Sequence, residues 1–301
     1  FNKPVQFYFN KLNITKNYIP LENNMLIKEA NLICQQVKKI KGLTVDISQH
    51  RHYPYNNLAA QTIGFINSEK IGQVGIEKQF DDALKGKKTN VIFQKSIHGK
   101  MTPSLGRNVE LVHGDDITLT LDIELQSILQ QELNKGLLKY KSKSANGIIM
   151  NPFTGEIIAI ATVPDFDPNY YNLSDVENFQ NKVISAEYEP GSTYKIVVTA
   201  AALNSDIIKP DDVYYCENGE YRLSSGKILH DHEPHENLSV LDIFAYSSNI
   251  GIAKIADNLG AHTIYNFSRK FGFGNTTHLS LPNELSGTLR EIDEWSRLSN
   301  T

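Results

Sequence analysis

Ser192 and Lys195 stand three positions apart in EPGSTYK (189–195), and the residues that follow, Ile196 to Leu203, are all apolar or Thr. A helix N-terminus carries roughly half a positive charge, which disfavours a cation in its first turn by about 0.3–1 kcal/mol. Burial acts in the same direction, so both effects push the lysine toward its neutral form. A neutral amine is a base. Side chains at i and i+3 share one helix face, which puts the amine beside the Ser192 hydroxyl. The pair is then a nucleophile with its base, close to helix N–H groups able to stabilise an oxyanion. Pro190 and Gly191 break the chain just before it and leave the serine at an exposed tip. A purely structural alternative stays open: Ser192 as an N-cap, with the Lys195 amine extended to solvent.

Other strings compete for attention. SSGK (224–227) repeats the S-x-x-K spacing, but it contains Gly226, precedes no apolar helix and is expected to be a turn. Ser247-Ser248-Asn249 lies between two helical patterns on a loop that could face Ser192, and two helix caps in series would look the same. A further S-x-N string at 144–146 sits in the approach to a strand. HDHEPHE (230–236) gathers His230, His232 and His235 among acids; its spacing fits no helical face and Pro234 intrudes, so a solvated loop is expected there. Asp165 and Asp167, alternating around Phe166 before Pro168, are expected to build a turn.

The elements that must position these residues follow from periodicity. Residues 25–41 have a helical period, LTVDI (43–47) and NVIF (90–93) are β-like, and IEKQFDDAL (76–84) suggests a short helix. The pattern changes near His113-Gly114-Asp115. ITLTL (117–121) predicts a strand, and Asp122 an N-cap for a long amphipathic helix carrying Leu125, Ile128, Leu129, Leu133 and Leu137. Residues 145–163 predict two strands about a Pro-Phe-Thr-Gly turn, covered on both faces. A loop is expected over 164–187, then the helix from Ser192 to about Asn204, then a polar stretch (205–237). Ser239 and Asp242 form a capping-box-like start for one short helix. Ser248 or Asn249 caps another, IGIAKIADNL, stopped by Gly260.

The 301 residues suit about two domains. The 40% hydrophobic and 21% charged composition is that of a globular chain with a real core. A net charge of -4 and a pI near 6.2 give no electrostatic case for nucleic acid. Cys34 and Cys216 have no metal-type spacing, no apolar run is long enough to cross a bilayer, and no signal peptide is present. The absence of an initial Met suggests the middle of a longer protein.

Taken together, these residues resemble the class B penicillin-binding proteins of the septal, division-specific type. EPGSTYK looks like that family's S-x-x-K segment, and YSSNIGIAKIADNLG with FGFG (271–274) like its S-x-N region. NPFTGEIIAIATVPDFDPN, RHYPYNNLAAQTIGFIN, GQVGIEKQFDDALKG and LPNELSG (281–287) are also similar and occur in order, from about residue 43 to the end. The resemblance implies an α+β architecture, with a mixed pedestal domain over 1–112 and a transpeptidase domain over 113–301 built of helices around an antiparallel sheet. It implies peptidoglycan D,D-transpeptidation through a serine acyl-enzyme, without cofactor or metal. Ser192 would attack the D-Ala-D-Ala carbonyl of a stem peptide, or be trapped covalently by a β-lactam. Lys195 would take its proton, Ser247 would relay a proton to the leaving amine, and Asn249 would bind the substrate amide. It also implies a domain on the outer, periplasmic face of the cytoplasmic membrane, with a divisome glycosyltransferase and other division proteins as partners.

One departure stands out. The family's third motif, K-[ST]-G, does not occur in the 301 residues, and GKKTN (86–90) is not it. The chain is therefore expected to be a fragment. It would lack an anchor in front and the C-terminal strands behind, and would be inactive by itself. Two other functions fit the same residues: a non-catalytic division-complex module with this fold, or a D,D-carboxypeptidase-type hydrolase.

Overall fold

The structure, a computed structural model, describes residues 3–13, 19–22, 40, 42, 50–86, 93–95, 101–103, 114–223 and 226–295. It forms two compact units, Phe1–His52 and Tyr53–Thr301. Most of the helix expected over 25–41, the β-like run at 43–47, residues 90–92 of NVIF, Ser224 and Ser225 of SSGK, and Cys34 lie outside the described residues.

In the first unit, helix α1 (Val5–Leu12) starts after Pro4, and Lys3 and Tyr8 both reach Glu22.

The second unit opens with three short helices, α2 (Ala60–Ile63), α3 (Gly75–Gln79) and α4 (Asp81–Leu84). The single helix expected over 76–84 is thus two, divided where Phe80 leaves helical geometry. Strands β1 (Phe93–Lys95) and β2 (Met101–Pro103) make a small antiparallel ladder. Residues 53–66 pack on the loop after the central hairpin. Phe65 stacks on Tyr171 at 4.4 Å and meets Phe166 and Phe179 edge-on, while Tyr53 and Asn169 exchange two backbone–side-chain hydrogen bonds.

Helix α5 (Ile123–Tyr140) begins where Asp122 accepts the Leu125 N–H at 2.8 Å, as expected of an N-cap. It backs the antiparallel hairpin of β3 (Ala145–Met150) and β4 (Ile157–Val163). Three expectations fail here. Residues 117–121 run with strand-like alternation but join no ladder, holding β4 only through contacts such as Asp122 N–H to Ile158 O. The fully buried residues of α5 are Gln126 and Gln130, while Leu125 and Ile128 are exposed. The reason is hydrogen bonding. Gln126 donates to Ile160 O and accepts from Ile160 N, both at 2.9 Å, so it replaces a strand partner. Nor is β3 covered on both faces, since Ile148 and Met150 are exposed.

Past the short helix α6 (Lys182–Ser185), the larger core lies around α7 (Lys195–Asn204), α8 (Val240–Ala245), α9 (Asn249–Leu259) and α10 (Ala261–Lys270). The polar stretch between α7 and α8 is more ordered than its composition suggests. It contains two antiparallel pairs, β5 (Val213–Tyr215) with β8 (Asn237–Ser239) and β6 (Glu220–Arg222) with β7 (Ile228–His230). Ser239 caps α8 through Asp242, and Ser248 caps α9, which ends at Gly260. Gly251 is the close-approach point: a Cβ there would sit 2.5 Å from Ile243 Cγ1, so α8 and α9 meet over a missing side chain. That contact places the loop between them against the start of α7.

Candidate active site

The turn that carries Ser192 is a 3-10 turn (Gly191–Tyr194), and Lys195 is the first residue of α7. Gly191 adopts φ +60 with nothing within 4 Å of its would-be Cβ, so a left-handed backbone, not crowding, calls for glycine there. Tyr194 fastens the turn to α10: its hydroxyl lies 2.6 Å from the buried Ser268 Oγ and its ring meets Phe273 edge-on. Ser192 is exposed and caps neither helix, since neither N-terminus has a side-chain cap. Its hydroxyl therefore has no structural duty among the described residues.

Lys195 is half-buried and does not extend to solvent. It crosses to the Ser247–Asn249 turn, donating to Ser247 Oγ at 3.0 Å, to Asn249 Oδ1 at 2.7 Å and to the Ser247 carbonyl. Burial lowers its pKa from the usual lysine value, and the negative charge of Asp231 works against that shift. No hydrogen bond joins Lys195 to Ser192 among the described residues; the amine's hydrogens all point to the other motif.

That second motif is a bent turn. Ser247 has φ +58, a left-handed conformation unfavourable for a residue with a side chain. Ser248 is buried and accepts the Gly251 N–H at 2.9 Å as the cap of α9. Asn249 holds Lys195 with its oxygen and donates to His230 O at 2.8 Å with its nitrogen, which fixes the orientation of the amide. Ser247 and Asn249 are exposed beside it. Of the expected residues, Lys195, Ser247 and Asn249 thus meet directly, and exposed Ser192 stands on the turn that leads into Lys195.

Asp231 was not expected. Read from sequence as part of a solvated loop, it is half-buried and bonded to the Ser247–Asn249 turn. Only its place after the apolar pair Ile228-Leu229 hinted at an anchored strand end. The loop expectation also misses His230, which ends β7 in register with Glu220, though its side chain is exposed; His232 is exposed, and His235 stacks on Tyr246. No three His, Cys, Asp or Glu side chains cluster for a metal among the described residues. Asp165 accepts from Asn57 and Gln130, and Asp167 caps a 3-10 turn, so both are engaged in local structure as the turn expectation has it. Cys216 is buried and unpaired, and burial pushes its thiol pKa up.

Comparison with known proteins identifies the family. Residues 146–301 match the penicillin binding protein transpeptidase domain, and residues 3–119 match the penicillin-binding protein dimerisation domain. The chain is 31% identical over 297 residues to a probable peptidoglycan D,D-transpeptidase, PenA, of Neisseria meningitidis, covering 97% of this chain and 50% of that protein. It is 29% identical over 262 residues to the peptidoglycan D,D-transpeptidase FtsI of Escherichia coli, covering 86% of this chain and 44% of that protein. Among solved structures, penicillin binding protein 3 of Mycobacterium tuberculosis in its apo form superposes with a TM-score of 0.68 at 29% identity. That match covers 83% of this chain and 53% of the other. The same protein complexed with ampicillin gives 0.67 at 29% identity, over 82% and 51%. The chain spans about half the length of the curated relatives it matches.

Proposed function

This chain belongs to the penicillin-binding protein transpeptidase family, and from that premise we propose that it carries the serine acyl-transfer centre of a septal peptidoglycan D,D-transpeptidase. The observation that carries the reading is Lys195, which leaves the first turn of an apolar helix to bridge Ser247 and Asn249, 52 and 54 positions away. An ammonium is a donor only, so in this arrangement Lys195 stores a proton at the turn. Loss of that proton frees a lone pair that can accept the Ser192 hydroxyl proton. Ser192 Oγ then bonds to the carbonyl carbon of the penultimate D-Ala. Ser247, in contact with the amine, passes a proton to the departing nitrogen as the C–N bond breaks and the terminal D-Ala leaves. The acyl group moves to an amine of a neighbouring stem peptide and Ser192 recovers its proton. Asn249 keeps one amide hydrogen beyond its bond to His230 O, and that hydrogen meets a substrate carbonyl.

A β-lactam enters the same path. Its ring C–N bond opens on Ser192, but the nitrogen stays tethered and the acyl-enzyme persists. The site works at the outer face of the cytoplasmic membrane with other division proteins; no helix among the described residues is long and apolar enough to span a membrane. The test is labelling of the full-length protein with fluorescent penicillin. A covalent label on the wild type that disappears in Ser192→Ala is expected. Labelling that survives Ser192→Ala removes the assignment, and a folded wild type that takes no label turns it into a non-catalytic module.

A further inference from the structure

The turn at Ser247 needs support, because a left-handed serine is held only where its surroundings over-determine it. One carboxylate supplies most of that support. Asp231 Oδ2 accepts the Ser248 hydroxyl at 2.6 Å, and Asp231 Oδ1 accepts the backbone N–H groups of Asn249 and of Ile250, the latter at 3.0 Å. These are the first N–H groups of α9, which lack partners inside the helix and carry its positive end. His230, the preceding residue, fixes the Asn249 amide through its carbonyl. A single strand end thus grips all of the turn except Ser247, and Lys195 grips Ser247 from the other side.

We propose that Asp231 is the positioning residue of this site: its carboxylate clamps the Ser247–Asn249 turn from behind. The inference rests on the acyl-transfer reading above. Of the neighbouring ionisable groups, Lys254 pairs with Glu217 at 2.7 Å, exposed His230 lies 3.7 Å from Glu220, and His232 is exposed. The buried Cys216 thiol lies 3.7 Å from Ser248 Oγ, and burial and the Asp231 charge both raise its pKa, which keeps it protonated. Lys195 itself has its proton affinity lowered by burial and raised by the Asp231 charge. Removing that charge leaves the lowering unopposed, so the neutral amine persists to lower pH.

Two variants separate clamp from charge. In Asp231→Asn the amide oxygen still accepts from α9, and the amide nitrogen donates to Ser248 Oγ in place of accepting from it. In Asp231→Ala both are gone. The measurement is the single-turnover rate of acylation of the full-length protein by fluorescent penicillin across pH, with melting curves as the check on folding. Asp231→Ala is expected to slow acylation roughly tenfold to a hundredfold, as loss of charge-assisted hydrogen bonds implies. Asp231→Asn is expected to recover most of that rate and to move the acidic limb of the profile to lower pH. A merely structural residue would change the amplitude and leave the limb in place. Wild-type rates in both variants, or an Asn limb that coincides with the wild type, overturn the proposal; if Asp231→Ala does not fold, the Asn limb decides alone. A wild type that takes no label, or a label that survives Ser192→Ala, instead sinks the acyl-transfer reading.

Discussion

Lys195 gives all its hydrogens to one turn and none to the serine three residues before it. The two motifs are therefore joined through Lys195 and not through Ser192, and in the acyl-transfer reading proposed above the protonation state of the amine decides whether Ser192 has a partner. Acylation should fall as pH drops through the Lys195 pKa, because only the neutral form accepts a proton. Burial lowers that pKa, so the limb should lie below the range of an exposed lysine. Lys195→Met should slow acylation by about 10²–10⁴-fold, the usual worth of a general base, and abolish the limb. A stopped-flow or gel time course of penicillin labelling measures both. Unchanged labelling in Lys195→Met would assign the proton to another group.

The helices meet the site through positions where a side chain is missing. Gly251 lets α9 approach Ile243 of α8, which is 1% exposed and has nowhere to move. Gly251→Ala should destabilise the protein by about 1–3 kcal/mol through overpacking, although alanine is the better helix former. The same substitution at Gly136, in α5 with open space around its would-be Cβ, should stabilise by about 0.5–1 kcal/mol. Urea melts of the two variants test the contrast, and a shift of the same sign in both would refute this account of the packing. The caps were readable in advance, since Asp122, Ser239 and Ser248 each precede an apolar period and each accepts a backbone N–H. The buried face of α5 was not. Gln126 and Gln130 are polar by composition and buried because β4 and the 57–59 segment offer unpaired backbone groups that only their amides reach.

Across the whole second unit, those glutamines connect distant parts of the chain. Gln130 accepts the Ala59 N–H at 2.8 Å and donates to Asn57 O and Asp165, so it bonds the segment after Tyr53 to α5 and to the loop beyond β4. This joint explains why the compact unit begins at Tyr53, whereas composition changes only near residue 112. Gln130→Leu would leave the buried Ala59 N–H without its side-chain partner and take one donor each from Asn57 O and the half-buried Asp165 carboxylate. A loss of about 1–3 kcal/mol for each unsatisfied group is expected, with early proteolytic cleavage in 53–66. Melting and limited proteolysis measure it, and a variant as stable and as resistant as wild type would show that the joint is incidental.

The sequence alone determined the local chemistry. A serine at the tip of a helix, a lysine in an apolar first turn and capping residues before apolar periods are consequences of neighbouring residues, and short-range order fixes them. The tertiary structure decided which distant groups meet. It turned Lys195 to Ser247 and Asn249, brought Asp231 out of an apparent surface loop to hold α9, and buried Gln126 and Gln130 more deeply than the half-buried Leu129, Leu133 and Leu137 of the same helix. In each case the deciding quantity is an unpaired hydrogen-bonding group left by one element and met by another far along the chain, and no local pattern encodes that match.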